Sequence, residues 1–435
     1  MKKNLYPIIF VILAFLALYL TKFEYGSFSY EKSLKGCMIA QKSLSKNKTV
    51  LKNYLESDDT KHMVAALKNL GVKIEKDEDN LIVYGSDKSF PVKDCELFLG
   101  NAGTAFRPLT AVLALMNGHY KLSGVNRMHE RPIKDLVDSL EIMGASINYI
   151  NKDGFPPLKI NPISNHFCDD ITIKGDVSSQ FLTALLIAAP LIQKPVTIKV
   201  EGDLISKPYI NITLKLLARF EIIYQNQNWQ KFTLDNVCSY QNPSFIEVEG
   251  DASSASYFFG AAAIAGVIEV FGINKKSIQG DIYFLEILKD MGAKITYKDR
   301  SVVVEKAEVL KGEEVDCKMI PDAAMTLATM ALFCEGTTKL TNIASWRVKE
   351  TDRIIAMQTE LLKLGAKVSS TNDSITITPP ERINNNIQVD TYDDHRMAMC
   401  FSLVSLNKNS VIINDPECVK KTYPNYFHDF EKIML

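Results

Sequence analysis

A small-residue motif ahead of an apolar helix recurs along this chain at nearly constant spacing, and that period limits the possible folds more than any other feature. The motif reads "LGNAGTAF" with its first glycine at Gly100, "KGDVSSQF" at Gly175 and "EGDASSAS" at Gly250, 75 residues apart each time. Variants follow at 72-residue steps, "IPDAAMT" around Asp322 and "YDDHRMA" around Asp394. Each opens a run rich in Ala, Leu and Met, such as "FLTALLIAAPLI" or "MTLATMALFCEG". The start of a helix exposes unpaired N–H groups and the positive end of the macrodipole. Glycine and other small residues there let an anion approach the backbone.

A second element repeats out of phase with the first. It is an amphipathic helix, a small turn and a strand: "MVAALKNLGVKIEK", "LVDSLEIMGASINY", "FLEILKDMGAKITY" and "MQTELLKLGAKVSS". Their glycines, Gly71, Gly144, Gly292 and Gly365, stand where a helix C-cap is expected. "LKLLARFEIIY" fills the gap in the series with Phe220 and no glycine. Short β-branched strands such as "VTIKVEG" and "SITITPP" separate the helices. The predicted unit is β-α-β-β-α-β, with small-residue helices central and amphipathic helices outside. Five units are plain; a sixth would begin at "KKTYPNYFHDFEKIM" and close with strands from the N-terminus. Six units suit two domains of three, consistent with a chain of 435 residues, which is long for one core.

The formal net charge of −1 does not favour a polyanion-binding surface, so no nucleic-acid partner is expected. The eight cysteines are scattered with no C-x-x-C pair, and the six histidines form no H-E-x-x-H. That pattern predicts reduced thiols in the cytoplasm and no metal site; no cofactor is expected. The N-terminus is discordant. "MKKNLYPIIFVILAFLALYL" carries an apolar run from Tyr6 to Leu20, which resembles a signal peptide or short anchor. The run is short for a spanning helix and no A-x-A-like cleavage site follows, so no membrane association is expected.

Cations and hydroxyls gather at the repeat starts: Arg127 and Arg131 in "RMHERPIKDL", Ser178, Ser179 and Gln180 in "SSQ", Ser206 and Tyr209 in "LISKPYI". "SWRVKETDR" packs Arg347, Lys349, Glu350, Asp352 and Arg353 together; "DDHRMAM" holds Asp394, His395 and Arg396, and "VKKTYP" holds Lys421. A charge run is ordinarily a solvated face. These runs instead sit beside small-residue helix starts, and arginine forks bind phosphate and carboxylate bidentately. A substrate set with several anionic groups is the chemistry they suit.

From about Lys48 onward, "LGNAGTAFRPL", "GDVSSQFLTALL", "WRVKETDR" and "TYDDHRMAMCFSL" resemble the EPSP synthase (3-phosphoshikimate 1-carboxyvinyltransferase) family. The resemblance implies an α/β fold of two inside-out domains, each of three β-α-β-β-α-β units with pseudo-threefold symmetry. It places the first domain at 33–248 and the second at 249–435 plus 1–32. It also implies a monomer that transfers enolpyruvyl from phosphoenolpyruvate to the 5-hydroxyl of shikimate 3-phosphate. Carried over residue by residue, the shikimate 3-phosphate site is Ser178, Ser179, Gln180, Ser206, Asp322 and Lys349, with Tyr209 beside the ring. The phosphoenolpyruvate site is Gly103, Arg131, Gln180, Arg353, Arg396 and Lys421, with Asn101 and Thr104 lining the same wall. Asp322 is the implied proton acceptor and Glu350 the candidate proton donor; His395 is either structural or orients Glu350.

The family's Lys-Ser pair falls on Lys32, which would be catalytic as well as substrate-binding, and on Ser33. Its next arginine falls on Cys37, and Ser345 stands where the family usually has a substrate-binding asparagine. Residues 1–42 therefore depart from the pattern. A local reading-frame change accounts for this first, a decayed inactive gene second and a true membrane anchor third. The alternatives for function are transfer of enolpyruvyl to UDP-N-acetylglucosamine, or an inactive homologue. The loop "NGHYKLSGVNRMHERPIK" lacks the cysteine that many members of that sister family use, which favours the shikimate substrate.

Overall fold

The structure is a computed structural model that describes residues 23–24, 48–86, 89–163, 168–235, 244–407 and 410–434. Lys32, Ser33, Cys37 and the apolar run from Tyr6 to Leu20 lie outside the described residues.

The small-residue motifs do open helices, and the apolar runs behind them are buried nearly all round. These are α2 (Gly103–Ala114), α4 (Ser179–Ala188), α6 (Ala252–Ala265), α8 (Ala324–Met330) and α10 (His395–Phe401). In α2 every residue but Thr104 is buried, and in α4 every residue but Gln180. Chains of Ala, Gly and Ser permit such close helix contact: a Cβ added at Gly260 of α6 would stand 3.0 Å from Met330 and Thr326 of α8. The amphipathic helices flank them: α1 (Asp58–Asn69), α3 (Lys134–Ile142), α5 (Lys207–Arg219), α7 (Phe284–Asp290), α9 (Arg353–Lys363) and α11 (Tyr426–Met434). Helix α9 is representative, burying Ile354, Met357 and Leu361 while leaving Ile355 and Leu362 in solvent.

The expected C-cap glycines are confirmed by their backbone angles. Gly71, Gly144, Gly292 and Gly365 have φ of +89°, +99°, +110° and +95°, the left-handed region glycine enters without steric cost. After α5 the same position is taken by Glu221 at φ +59°. Phe220, at φ −95°, is the last helical cap and not the left-handed residue.

Each sheet is built by one recipe. Asp94–Phe98 runs parallel to His119–Ser123 across α2, and the hairpin Ser146–Tyr149 and Leu158–Asn161 completes the sheet antiparallel, with Leu158–Asn161 next to His119–Ser123. Along the chain the order is thus β-α-β-α-β-β, which corrects the expected β-α-β-β-α-β: the outer helix precedes the hairpin and does not divide it. The period could not distinguish these orders, because both place two helices and four strands in one repeat. The same four-stranded arrangement occurs five times among the described residues, and Ile387–Val389 with Val411–Ile413 forms a two-stranded parallel pair around α10.

The chain forms two compact units. One takes in the described residues of Met1–Phe28 with Ala252–Ser277 and Asp281–Leu435; the other takes in those of Ser29–Asp251 with Ile278–Gly280. Phe245–Glu247, which directly precedes α6, pairs with Lys48–Lys52 in the second of these, whereas Val267–Phe271 after α6 takes Phe23–Glu24 as its parallel neighbour. Each unit therefore closes one sheet with a strand distant in sequence.

Candidate active site

In the unit containing α2 and α4, Gly103 explains why the helix starts on small residues. A Cβ at Gly103 would lie 2.8 Å from Arg107 Nη1, 2.9 Å from Arg131 Nη2 and 3.1 Å from Gln180 Oε1. The missing side chain is what lets two guanidinium heads and an amide meet at a helix N-terminus. Gly100, at φ +53°, is close-packed as well: a Cβ there would run into the His62 ring. Arg131 is buried and donates from Nη1 to the Asn101 carbonyl at 3.1 Å and to its Oδ1 at 3.2 Å. Thr104 donates to Asp59 Oδ2 at 3.1 Å.

Ser178 caps α4, its Oγ accepting from the Gln180 N–H at 3.3 Å. Ser206 caps α5 in the left-handed region at φ +53°, and its carbonyl accepts the Tyr209 N–H at 3.0 Å. The two helices are tied by Thr183 and Thr213, whose hydroxyls are 3.0 Å apart. Ser178, Ser179 and Gln180 therefore stand at the start of one helix and Ser206 and Tyr209 at the start of its neighbour. Arg127 instead pairs with Glu130 at 2.8 Å, half-exposed, the ordinary fate of a charge run. Sequence reasoning missed Arg107 and Asp59. Arg107 lies inside an apolar helix, and the only signal was a charge in an otherwise uncharged stretch.

In the other unit, the chain preceding three helices converges. Arg353, the first residue of α9, is buried and grips three carboxylates. Its Nε donates to Asp394 Oδ2 at 2.7 Å, Nη1 to Asp322 Oδ1 at 3.0 Å and Nη2 to Glu350 Oε2 at 2.9 Å. Arg396, also buried, donates to Asp322 Oδ2 at 2.8 Å and to the Tyr257 hydroxyl at 3.0 Å. Lys421 stands 3.6 Å from Glu350 Oε1, and Lys349 stands 4.0 Å from Asp322 Oδ1. Asp394 caps α10 through the Arg396 N–H, and His395 Nδ1 is 3.5 Å from Asp394 Oδ1. Trp346 fixes the approach to Asp322 by donating to the Pro321 carbonyl at 2.7 Å. Ser345 is half-buried in the turn Ala344–Val348 beside it.

Four cations here face Asp322, Glu350 and Asp394, and Lys421 also acts on the neighbouring Asp393 carboxylate. Burial works against the Arg353 charge, but Asp394, Glu350 and Asp322 more than offset it and hold its pKa above the ordinary value. Lys349 has no such surplus of carboxylates. Desolvation dominates and pushes its ammonium below the usual lysine range, with Asp322 opposing. A cluster of four cations with low solvent access and two planar forks is suited to a small ligand bearing carboxylate and phosphate, for which its carboxylates would have to yield.

Among the described residues no group of His, Cys, Asp and Glu could hold a metal ion, and no helix is long and apolar enough to cross a membrane. The six cysteines among them are free.

Residues 32–430 match the family model described as EPSP synthase (3-phosphoshikimate 1-carboxyvinyltransferase). A 3-phosphoshikimate 1-carboxyvinyltransferase from Nitrosomonas europaea is 54% identical over 407 residues, covering 92% of this chain and 94% of that protein. One from Cupriavidus taiwanensis is 54% identical over 408 residues with the same coverage. Among solved structures, the EPSP synthase from Acinetobacter baumannii aligns with a TM-score of 0.78 at 24% identity, over 94% of each chain. The enolpyruvyl transferase NikO from Streptomyces tendae gives 0.72 at 14% identity, over 94% of this chain and 95% of that one. At those identities the solved structures speak for the fold, and the sequence match along nearly the whole chain carries the rest: this protein belongs to the EPSP synthase family.

Proposed function

We propose that the protein transfers the enolpyruvyl group of phosphoenolpyruvate to the 5-hydroxyl of shikimate 3-phosphate, yielding 5-enolpyruvylshikimate 3-phosphate and inorganic phosphate. The observation that carries this reading is the meeting of Arg353 and Arg396 on the two oxygens of Asp322, with Glu350 held on the other side of Arg353. It puts a candidate base, a candidate acid and anion-binding forks in one cluster.

In this reading the hydroxyl adds to C2 of phosphoenolpyruvate as the methylene carbon takes a proton. Loss of phosphate, with a proton from the new methyl group, restores the double bond. Asp322 takes the hydroxyl proton and Glu350 supplies the methylene carbon. In the free protein both carboxylates are occupied by cations, which favours their charged forms. An anionic ligand that draws Arg353, Arg396 and Lys421 onto itself weakens that hold, leaving Glu350 better able to carry a proton and Asp322 a stronger base. Arg131 and Gln180 belong with phosphoenolpyruvate, and Ser178, Ser179, Ser206, Tyr209 and Lys349 with shikimate 3-phosphate. Lys32 and Ser33 lie outside the described residues and receive no step. The family resemblance is what supports a monomeric enzyme, and the scattered free thiols support a cytoplasmic one.

The test is phosphate release by purified protein supplied with both substrates. Turnover with shikimate 3-phosphate and none with UDP-N-acetylglucosamine is the expected result. Absence of turnover with both would favour an inactive homologue and overturn the reading.

A further inference from the structure

Glu360 lies two turns into α9, the helix that begins at Arg353, and its side chain is fully buried. A buried carboxylate requires donors, and three supply it. The Tyr392 hydroxyl is 2.6 Å from Oε1, the Asp390 N–H is 3.2 Å from Oε2, and Lys363 Nζ is 2.8 Å from Oε2. Lys363 also reaches Asp390 Oδ2 at 2.8 Å, and Asn414 Nδ2 donates to Asp390 Oδ1 at 2.7 Å. Residues 390 and 392 are thus both tied to one carboxylate of α9.

The segment so held is strained. Tyr392 and Asp393 are consecutive non-glycine residues in the left-handed region, at φ +56° and +55°. L side chains rarely adopt that conformation, and a pair persists only where its surroundings over-determine it. The next residues are Asp394, which Arg353 grips, and Arg396, which donates to Asp322. The helix that supplies Arg353 therefore also holds, seven residues later, the loop that delivers its partners.

We propose that the Glu360–Tyr392 pair is a positioning device that sets Asp394 and Arg396 against Arg353 and thereby fixes affinity for phosphoenolpyruvate. This rests on the proposed reading of the cluster as the phosphoenolpyruvate side. With the clamp released, the two left-handed residues relax, and Arg396 loses its alignment with Arg353 although neither arginine is altered. A bidentate anion site is sensitive to such a shift because both forks must face the ligand together.

The test compares Tyr392→Phe and Glu360→Gln with the parent chain. The Tyr392 ring is 40% exposed, so removal of its hydroxyl leaves no core cavity. Both variants are expected to raise KM for phosphoenolpyruvate five- to tenfold while KM for shikimate 3-phosphate stays within twofold. The double variant should be little worse than Glu360→Gln alone, since Tyr392→Phe removes only the hydroxyl that meets Glu360, whereas Glu360→Gln weakens that contact and also removes the charge facing Lys363. Hydrogen exchange at the amides of 390–396 should quicken in both. A purely structural role would move both KM values together, in step with thermal stability. That result would overturn the proposal, as would unchanged KM for phosphoenolpyruvate in both variants. If the parent chain does not turn over, the proposed reaction fails separately. Titration with phosphoenolpyruvate then decides the clamp: weaker binding in the variants supports it and equal binding overturns it.

Discussion

Arg353 and Asp394 are joined by two parallel hydrogen bonds, Nε to Oδ2 at 2.7 Å and Nη2 to Oδ1 at 3.3 Å, and both side chains are closed to solvent. The two residues are 41 positions apart, at the starts of α9 and α10. A buried pair of this geometry contributes specificity of arrangement more surely than net stability, but removing one partner strands the other charge.

Asp394→Asn should therefore destabilise the fold by about 3 kcal/mol, the low end of the cost of breaking a buried pair, because Arg353 keeps Asp322 and Glu350. Asparagine can still cap α10, so the loss isolates the charge from the cap. Urea unfolding measures it. A loss under about 1 kcal/mol would show that the remaining carboxylates compensate fully.

Arg131→Ala and Lys421→Ala test the anion-binding reading in each unit separately. A charged hydrogen bond to phosphate or carboxylate contributes about 1.5–3 kcal/mol, so each variant should weaken phosphoenolpyruvate use about tenfold or more. Steady-state kinetics at saturating shikimate 3-phosphate would reveal it, and unchanged KM in both would remove the two residues from the site.

Much of this was legible in the sequence because it rests on local chemistry repeated many times. The glycine C-caps and the buried small-residue helices follow from residue type alone. The joining of Asp322, Glu350, Arg353 and Arg396 does not, since nothing local brings positions 322 and 396 within 2.8 Å. Their sequence signal was only that each stands at a repeat start. The order of helix and hairpin within the repeat, Arg107, and the Glu360 clamp were illegible for the same reason: each depends on which elements pack together.

Glu221 is a case where the repeat itself makes the prediction. The other four amphipathic helices that end this way use glycine there, and Glu221 holds φ +59° with a side chain that disfavours it. Its N–H and that of Ile222 still close the helix end on Ala218 and Leu217. Glu221→Gly should stabilise the protein by roughly 0.5–1 kcal/mol, the relief of strain being partly offset by the entropy of an added glycine. A lowered melting temperature would contradict this.

Asp322→Ala separates anchoring from proton transfer. A positioned general base contributes roughly 10²–10⁴-fold, so turnover should fall by at least that factor. Shikimate 3-phosphate binding, measured by titration calorimetry, should remain largely intact, since the serines and Gln180 are untouched. Near-normal turnover would rule out Asp322 as the base.

Lys349 supplies a pH signature. Desolvation lowers its pKa from the ordinary 10.5, with the Asp322 carboxylate pulling the other way. The ammonium of the free protein is therefore discharged at a lower pH than an ordinary lysine, and an anionic substrate loses that attraction as pH rises. The stability contribution has the opposite sign. A lysine with a depressed folded pKa favours the fold most fully above about 10.5, and this is lost as pH falls through the folded value. Alkaline solution should thus weaken binding while this residue's effect on stability improves. The profile of kcat/KM for shikimate 3-phosphate reports the free enzyme and should bend downward on the alkaline side. Lys349→Arg keeps its charge throughout and should move that limb to higher pH, whatever it does to the maximal rate. A limb at the same pH in both proteins would assign it to another group.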